Sequence, residues 1–271
     1  MQYNRIIKAL QGKRSEQQDS VFCYEGEAFL SATVCDGMGG LSRGADASQT
    51  AVKAMDRLLR QVEGEIQDVP EFLLNCVDLL DSSVRKLPRE EHERIGTTLV
   101  TAVFQNDQLY WLSVGDSRLY ILRQGEMVQA TRDHNFQFTL DQLRAEHRIS
   151  SEQYESESAK GGALTSYIGM GNIEFMDICQ SPFFVQPGDV FLLTTDGLYK
   201  AMPDELICQI IRNSPSIQSA ADTFEQQIQE LDHPGQDNTS FILVQAVQEE
   251  QTVQIPHTEA EAEAEQRESE A

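Results

Sequence analysis

Between Thr98 and Leu122 three short apolar runs, Thr98 to Phe104, Leu109 to Val114 and Leu119 to Leu122, follow one another with only polar, turn-forming residues between them. Gln105-Asn106-Asp107-Gln108 has hairpin-turn chemistry, and so has Arg123-Gln124-Gly125-Glu126 after the third run. Hairpin turns join antiparallel neighbours, so adjacent strands here are predicted to be antiparallel. Further β-branched runs at Phe29 to Cys35, Val190 to Thr195 and Ser240 to Val247 have strand length, and most of the runs end at Gly, Asp or Asn.

Helical periods separate these clusters. Ala47, Ala51, Val52, Met55, Leu58, Leu59 and Val62 recur at three- and four-residue steps, which places one apolar stripe along a long helix. A second helix is predicted over 70–84 and a fourth over 216–231. The third starts at Pro203, with proline at its first helical position and Asp204 and Glu205 in the first turn. Strands come in clusters divided by helix pairs, without strict βα alternation. The predicted class is therefore α+β, antiparallel sheets covered by helices, and not a doubly wound parallel sheet. The polar stretch 132–163 is predicted to be a mobile surface insert.

With 271 residues, 40% of them apolar, the chain can bury a sizeable core as one large domain or two small ones. Its 44 Asp and Glu against 21 Lys and Arg leave a formal charge of −23. A surface that negative repels phosphate backbones and anionic lipid, so neither nucleic acid nor a membrane is an expected partner. It does concentrate cations. Residues 248–271 hold eight Glu and one Arg, and are expected to be an acidic disordered tail beyond a domain at 1–247. Cys23, Cys35, Cys76, Cys179 and Cys208 are widely spaced and form no C-x-x-C pair, which fits a reducing cytosol better than a disulfide framework or a zinc site. Only a two-residue apolar run precedes Lys8, and no stretch approaches the ~18 apolar residues of a membrane helix, so the expected location is cytoplasmic.

Chemistry is concentrated in five acids, Asp19, Asp36, Asp116, Asp196 and Asp237, each assigned to the end of an apolar strand and most followed by Gly or Asn. Strand ends are rigid, so carboxylates placed there hold a fixed mutual geometry. Clustered carboxylates without His or Cys partners favour a hard, oxygen-seeking cation such as Mg²⁺ or Mn²⁺. A lone Asp-Gly is usually only a turn. Five such acids behind hydrophobic runs point further.

The pieces Arg14 to Asp19, Asp36-Gly37-Met38-Gly39-Gly40, Gly96-Thr97-Thr98-Leu99, Gly115-Asp116-Ser117-Arg118, Thr131-Arg132-Asp133-His134, Leu164-Thr165 with Gly169, Asp196-Gly197-Leu198 and Asp237-Asn238 stand in the order of a known pattern. In them the chain resembles the metal-dependent protein phosphatases of type 2C, in their compact bacterial form. The resemblance spans residues 14–238. It implies a four-layer αββα sandwich, two antiparallel sheets flanked by helices, with a binuclear Mn²⁺ or Mg²⁺ centre at one end. By position, Asp36 would bridge the two metals, the Gly37 carbonyl would bind the second, and Asp196 and Asp237 would hold the first. Asp19 would orient water of the centre, and Arg14 would grip the substrate phosphate. A third, weaker ion is implied at Asp116 and Asp196, beside a flap formed by residues 135–163.

The implied activity is hydrolysis of phosphoserine and phosphothreonine in proteins by attack of a metal-bridging hydroxide, opposing a Ser/Thr protein kinase. Two divalent ions ~3.5 to 4 Å apart supply hydroxide near neutral pH for in-line attack. A guanidinium meets two phosphate oxygens at once, which Lys cannot. The pattern is departed from at Leu41, where many relatives carry His, so protonation of the leaving group would fall to water at the metals. Ser166 stands where relatives often have Arg, and Gln17 where they often have Asn.

Other residues have plainer expected roles. His134 is expected to be structural, and His92, His147, His233 and His257 isolated and exposed. Trp111 and Cys35 are expected in the core, and Thr97 and Thr98 are expected to serve packing. Two rival functions remain: a non-catalytic phosphoprotein-binding relative, disfavoured because every expected ligand position is filled, and a metal-dependent phosphodiesterase or nuclease, disfavoured by the charge and the lack of a basic or aromatic stripe.

Overall fold

The computed structural model describes residues 1–39, 43–88, 93–231 and 234–248, so Gly40, Leu41, His92, His233, His257 and the acidic tail from residue 249 lie outside the described residues. The strands are β1 (Gln2–Leu10), β2 (Asp19–Glu25), β3 (Phe29–Met38), β4 (Gly96–Thr97), β5 (Leu99–Gln105), β6 (Gln108–Val114), β7 (Arg118–Arg123), β8 (Glu126–Gln129), β9 (Asp177–Ile178), β10 (Phe183–Phe184), β11 (Val190–Thr194) and β12 (Thr239–Val247). The helices are α1 (Arg43–Leu59), α2 (Val69–Arg85), α3 (Phe136–Ala145), α4 (Ser151–Ser158), α5 (Asp196–Tyr199), α6 (Asp204–Asn213) and α7 (Ile217–Leu231).

Two sheets form the centre. One has the order β1-β12-β11-β7-β8, and the other β10-β6-β5-β3-β2, with β4 beside β3 and β9 beside β6. Every pairing is antiparallel. The two hairpins read from the sequence are present. Asn106 and Asp107 adopt φ of 53° and 58°, and Gln124 and Gly125 53° and 84°, the left-handed pairs that match the twist of a two-residue hairpin.

Three apolar layers hold the sandwich. Leu30, Ala32, Val34, Val100, Ala102 and Phe104 of one sheet meet Leu119, Ile121, Phe191, Leu193, Ile242 and Val244 of the other. The opposite faces of the same strands are also covered. Cys35, Leu99, Val103 and Leu112 pack under α1 and α2, and Tyr120, Leu122, Leu192, Phe241 and Leu243 under α6 and α7. Strands buried on both faces show as continuous apolar runs in a sequence, which is why the central ones were legible. Trp111 is partly buried against the inter-sheet layer, and Cys35 is fully buried, its thiol pushed up mainly by that burial.

Four local features differ from expectation. β1 and β2 were not anticipated, because both are edge strands of their sheets and β1 exposes alternate residues instead of forming a run. β8, also an edge strand, has only Met127 packed on the core and Val128 exposed. Pro203 sits one residue before α6, as its N-cap with φ −65° and ψ 151°, since an extended residue there still lets its carbonyl accept the first helical bonds from Leu206 and Ile207. The 132–163 stretch contains α3 and α4. The Asn135 side chain caps α3, and Ser150 and Gln153 form a reciprocal capping box on α4.

Phe191 is fully buried, with its ring edge-on to Phe104 at 5.0 Å between centroids. Phe191→Ala is expected to cost about 3–5 kcal/mol in a urea melt, as a large aromatic lost from between the sheets. Phe184→Ala, 66% exposed at the surface, is expected to fall within about 0.5 kcal/mol of the parent.

Candidate metal centre

An antiparallel pair brings the start of one strand beside the end of its neighbour, and this places the acids. Asp19 opens β2 opposite Asp36 near the end of β3, Leu99 lies opposite Val114, Arg118 opposite Thr194, and Leu10 opposite Thr239. Asp116 follows β6, Asp196 follows β11, and Asp237 precedes β12. Asp19 is thus the first residue of its strand and Asp237 precedes its own, neither standing behind an apolar strand, which corrects the sequence assignment; the antiparallel register puts both kinds of end on the same edge.

Side chains join the two sheets at this edge. The Thr195 hydroxyl donates to Asp19 Oδ2 at 2.9 Å, and the Gln18 amide donates to Asn238 Oδ1 at 2.8 Å. Asn238 Nδ2 donates to the carbonyls of Gln11 and Glu16 at 2.8 and 2.9 Å, so one buried amide shapes the loop that carries Arg14. Arg14 Nη2 reaches Asp237 Oδ2 at 2.7 Å.

The Asp36 backbone is held on both sides. Its N–H donates to Thr98 Oγ1 at 2.9 Å, and its carbonyl accepts from the Thr97 hydroxyl and the Thr98 amide at 2.9 and 2.8 Å. Thr98 and Ser117 hydroxyls meet at 2.6 Å, tying this anchor to the Asp116 loop. These threonines do more than pack: they position the central acid, a role hidden in the sequence by their β-branched strand character. Gly37 is required by close approach, since a Cβ there would lie 2.0 Å from the Gly44 carbonyl oxygen in the first turn of α1.

His134 behaves as the sequence reading expected. Its Nδ1 accepts the Gly115 amide at 3.1 Å, and its own amide donates to the Gly115 carbonyl at 2.9 Å. Burial holds the imidazole below its ordinary pKa, so it stays a neutral acceptor fixing the Asp116 loop.

The electrostatics are unfavourable to bare carboxylates. Asp19, Asp116 and Asp196 are 6%, 5% and 9% exposed. Burial, with Asp196 and Asp237 adding to it, pushes Asp19 up to about 7, against the Ser240 and Thr195 hydroxyls. Burial and then Asp196 push Asp116 up to about 7, with Lys200 opposing. Asp36 is raised well above the ordinary range by burial and by the surrounding acids, Asp19 first. Asp19 Oδ1 and Asp196 Oδ1 are buried and have no hydrogen-bond partner among the described residues. Hard anionic oxygens, buried, mutually repelling and partly unpartnered, are a donor set for divalent cations. Among the described residues no three His, Cys, Asp or Glu side chains close on one point as a finished cage.

The family model of protein phosphatase 2C matches residues 11–264. A serine/threonine phosphatase, stp, of Listeria innocua is 28% identical over 216 residues, 78% of this chain and 82% of its own length. The serine/threonine protein phosphatase PstP of Mycobacterium tuberculosis is 29% identical over 236 residues, 86% of this chain and 43% of its own length. The crystal structure of the catalytic domain of PstP in complex with two manganese ions is similar with a TM-score of 0.70 and 26% identity, covering 91% of this chain and 99% of that one. A Streptococcus agalactiae serine/threonine phosphatase shares the fold, with a TM-score of 0.76 at 22% identity and coverage of 91% and 100%.

A carboxyl whose folded pKa lies above its unfolded value favours the folded state below the unfolded value, and that stability is lost as pH rises through the folded one. For Asp116 the window runs from about 4 to about 7. In EDTA, Asp116→Asn is expected to match the parent near the bottom of this window. It should then become increasingly more stable, by at most about 4 kcal/mol, levelling above pH 7. Urea melts at a series of pH values check this, and a gap that does not change with pH would contradict the assignment.

Proposed function

The chain belongs to the protein phosphatase 2C family, and we propose that it hydrolyses phosphoserine and phosphothreonine in proteins with Mn²⁺ or Mg²⁺ at the acidic end of its sandwich. The observation that carries this is the set of five acids brought from five separate segments to one edge beside a guanidinium, with Asp19, Asp36 and Asp116 raised by burial and by their acidic neighbours. Cations, when bound, acidify water so that hydroxide is available near neutral pH for in-line attack on phosphorus, which makes a covalent phosphoenzyme unnecessary.

The protein's own residues have distinct tasks in this reading. Asp36 and the Gly37 carbonyl would hold cations at the centre, with Asp196 and Asp237 on one side and Asp116 beside Asp196. Asp19 keeps one oxygen on the Thr195 hydroxyl, and its other oxygen, which has no partner among the described residues, is free to accept from the attacking water and hold its orientation. Arg14 is 58% exposed at the mouth, and its planar fork can take two oxygens of an arriving phosphoryl group. Residues 1–247 are read as the catalytic domain with its flap at 135–163, and 248–271 as a tail outside the chemistry. No helix among the described residues is long and apolar enough to cross a membrane. With five widely spaced cysteines that form no C-x-x-C pair and the charge of −23, that supports a cytoplasmic enzyme acting on phosphoproteins, opposite a Ser/Thr kinase, in bacterial signalling.

Turnover of p-nitrophenyl phosphate is expected to vanish in EDTA and return with Mn²⁺. Asp36→Asn should lower kcat at least ~10³-fold at saturating Mn²⁺. EDTA-resistant turnover, or near-parental kcat in the variant, overturns the reading.

Arg14→Ala is expected mainly to raise KM, with Mn²⁺ affinity by calorimetry close to the parent, because the exposed Arg14–Asp237 pair contributes little on its own. Loss of Mn²⁺ binding in this variant would reassign Arg14 to structural support.

A further inference from the structure

Lys200 caps α5 four residues after Asp196, and its Nζ donates to Asp196 Oδ2. Three observations set this contact apart from an ordinary exposed helix pair. First, the other oxygen of Asp196 is buried and has no partner among the described residues. Second, the turn that carries Lys200 is locked onto the Asp116 loop. The Tyr199 hydroxyl donates to the Asp116 carbonyl at 2.9 Å, and the Tyr199 ring lies 3.6 Å from the Arg118 guanidinium. Third, that guanidinium is committed elsewhere, to both oxygens of Asp133 at 2.9 and 2.7 Å, so it does not serve Asp116. Two nearly buried acids, Asp116 and Asp196, therefore repel each other, and the ammonium of Lys200, bonded to Asp196, is a counter-charge to both.

We infer that the Lys200 ammonium is the built-in cation of the Asp116–Asp196 side of the centre, standing where a further divalent ion would otherwise bind, so that this chain works with two ions. The inference rests on the metal-centre reading above. An ammonium balances one charge without acidifying water as a divalent ion does, so it neutralises this side of the cluster while leaving the generation of hydroxide to the ions held around Asp36.

The test counts ions. The full chain is stripped with EDTA, dialysed and titrated with Mn²⁺ into the millimolar range, free Mn²⁺ being read by electron paramagnetic resonance. The parent is expected to bind two ions and Lys200→Ala three. Lys200→Arg, which keeps a cation, should stay at two, and Lys200→Ala combined with Asp116→Asn should return to two. A merely structural ion pair would leave the count unchanged across the series. Three ions in the parent, or two in Lys200→Ala, overturn the inference while the centre stands. A parent that binds none overturns both.

Discussion

Mutual repulsion among buried carboxylates is the constraint around which this molecule is arranged. Asp19, Asp36 and Asp116 are each held far enough from water that their charged forms are disfavoured, and each is raised further by its neighbours. Left to themselves such groups would spread apart or neutralise. They stay together because their backbones are fixed by bonds that do not involve the carboxylates: Thr97 and Thr98 on Asp36, His134 on the Gly115 turn, Asn238 on the Arg14 loop. The apolar layers provide the stability against which this strain is maintained.

Antiparallel topology makes the gathering of acids from distant segments possible. A parallel sheet puts only one kind of strand end on a given edge. Here the edge collects the starts of β2 and β12 with the ends of β3, β6 and β11, so residues more than two hundred positions apart, such as Arg14 and Asp237, meet at 2.7 Å. Stacking two sheets doubles the number of ends, and the bonds from Thr195 to Asp19 and from Gln18 to Asn238 join them. Two cations then pair with these acids, Arg14 on Asp237 from a loop shaped by Asn238 and Lys200 on Asp196 from a turn held by Tyr199.

Legibility followed burial and spacing. β3, β5, β6, β7, β11 and β12 were readable because both faces of each are covered, which leaves unbroken apolar runs; α1, α2 and α7 were readable because one face is covered, which leaves a 3.6-residue stripe. β1 and β2 were missed because an edge strand needs no such run. The capped helices α3 and α4 were missed because α4 buries nothing, so its polar sequence carries no periodic signal. Of the site, the acids were legible as residue types before turns. The hydroxyls of Thr97, Thr98 and Thr195 and the amide of Asn238 were not, since their roles depend on partners tens to hundreds of residues away.

The sequence by itself determined the α+β class, the two hairpins, the stock of five acids and a cation-attracting charge of −23, because each of these depends on composition or on contacts within a few residues. Only the tertiary structure decided which acids share one end of the sandwich, which of them face Lys200 and Arg14, and which hydroxyls hold them there. Those outcomes depend on strand register and on sheet-to-sheet packing, and a one-residue slip in register would turn a strand's side chains to the opposite face.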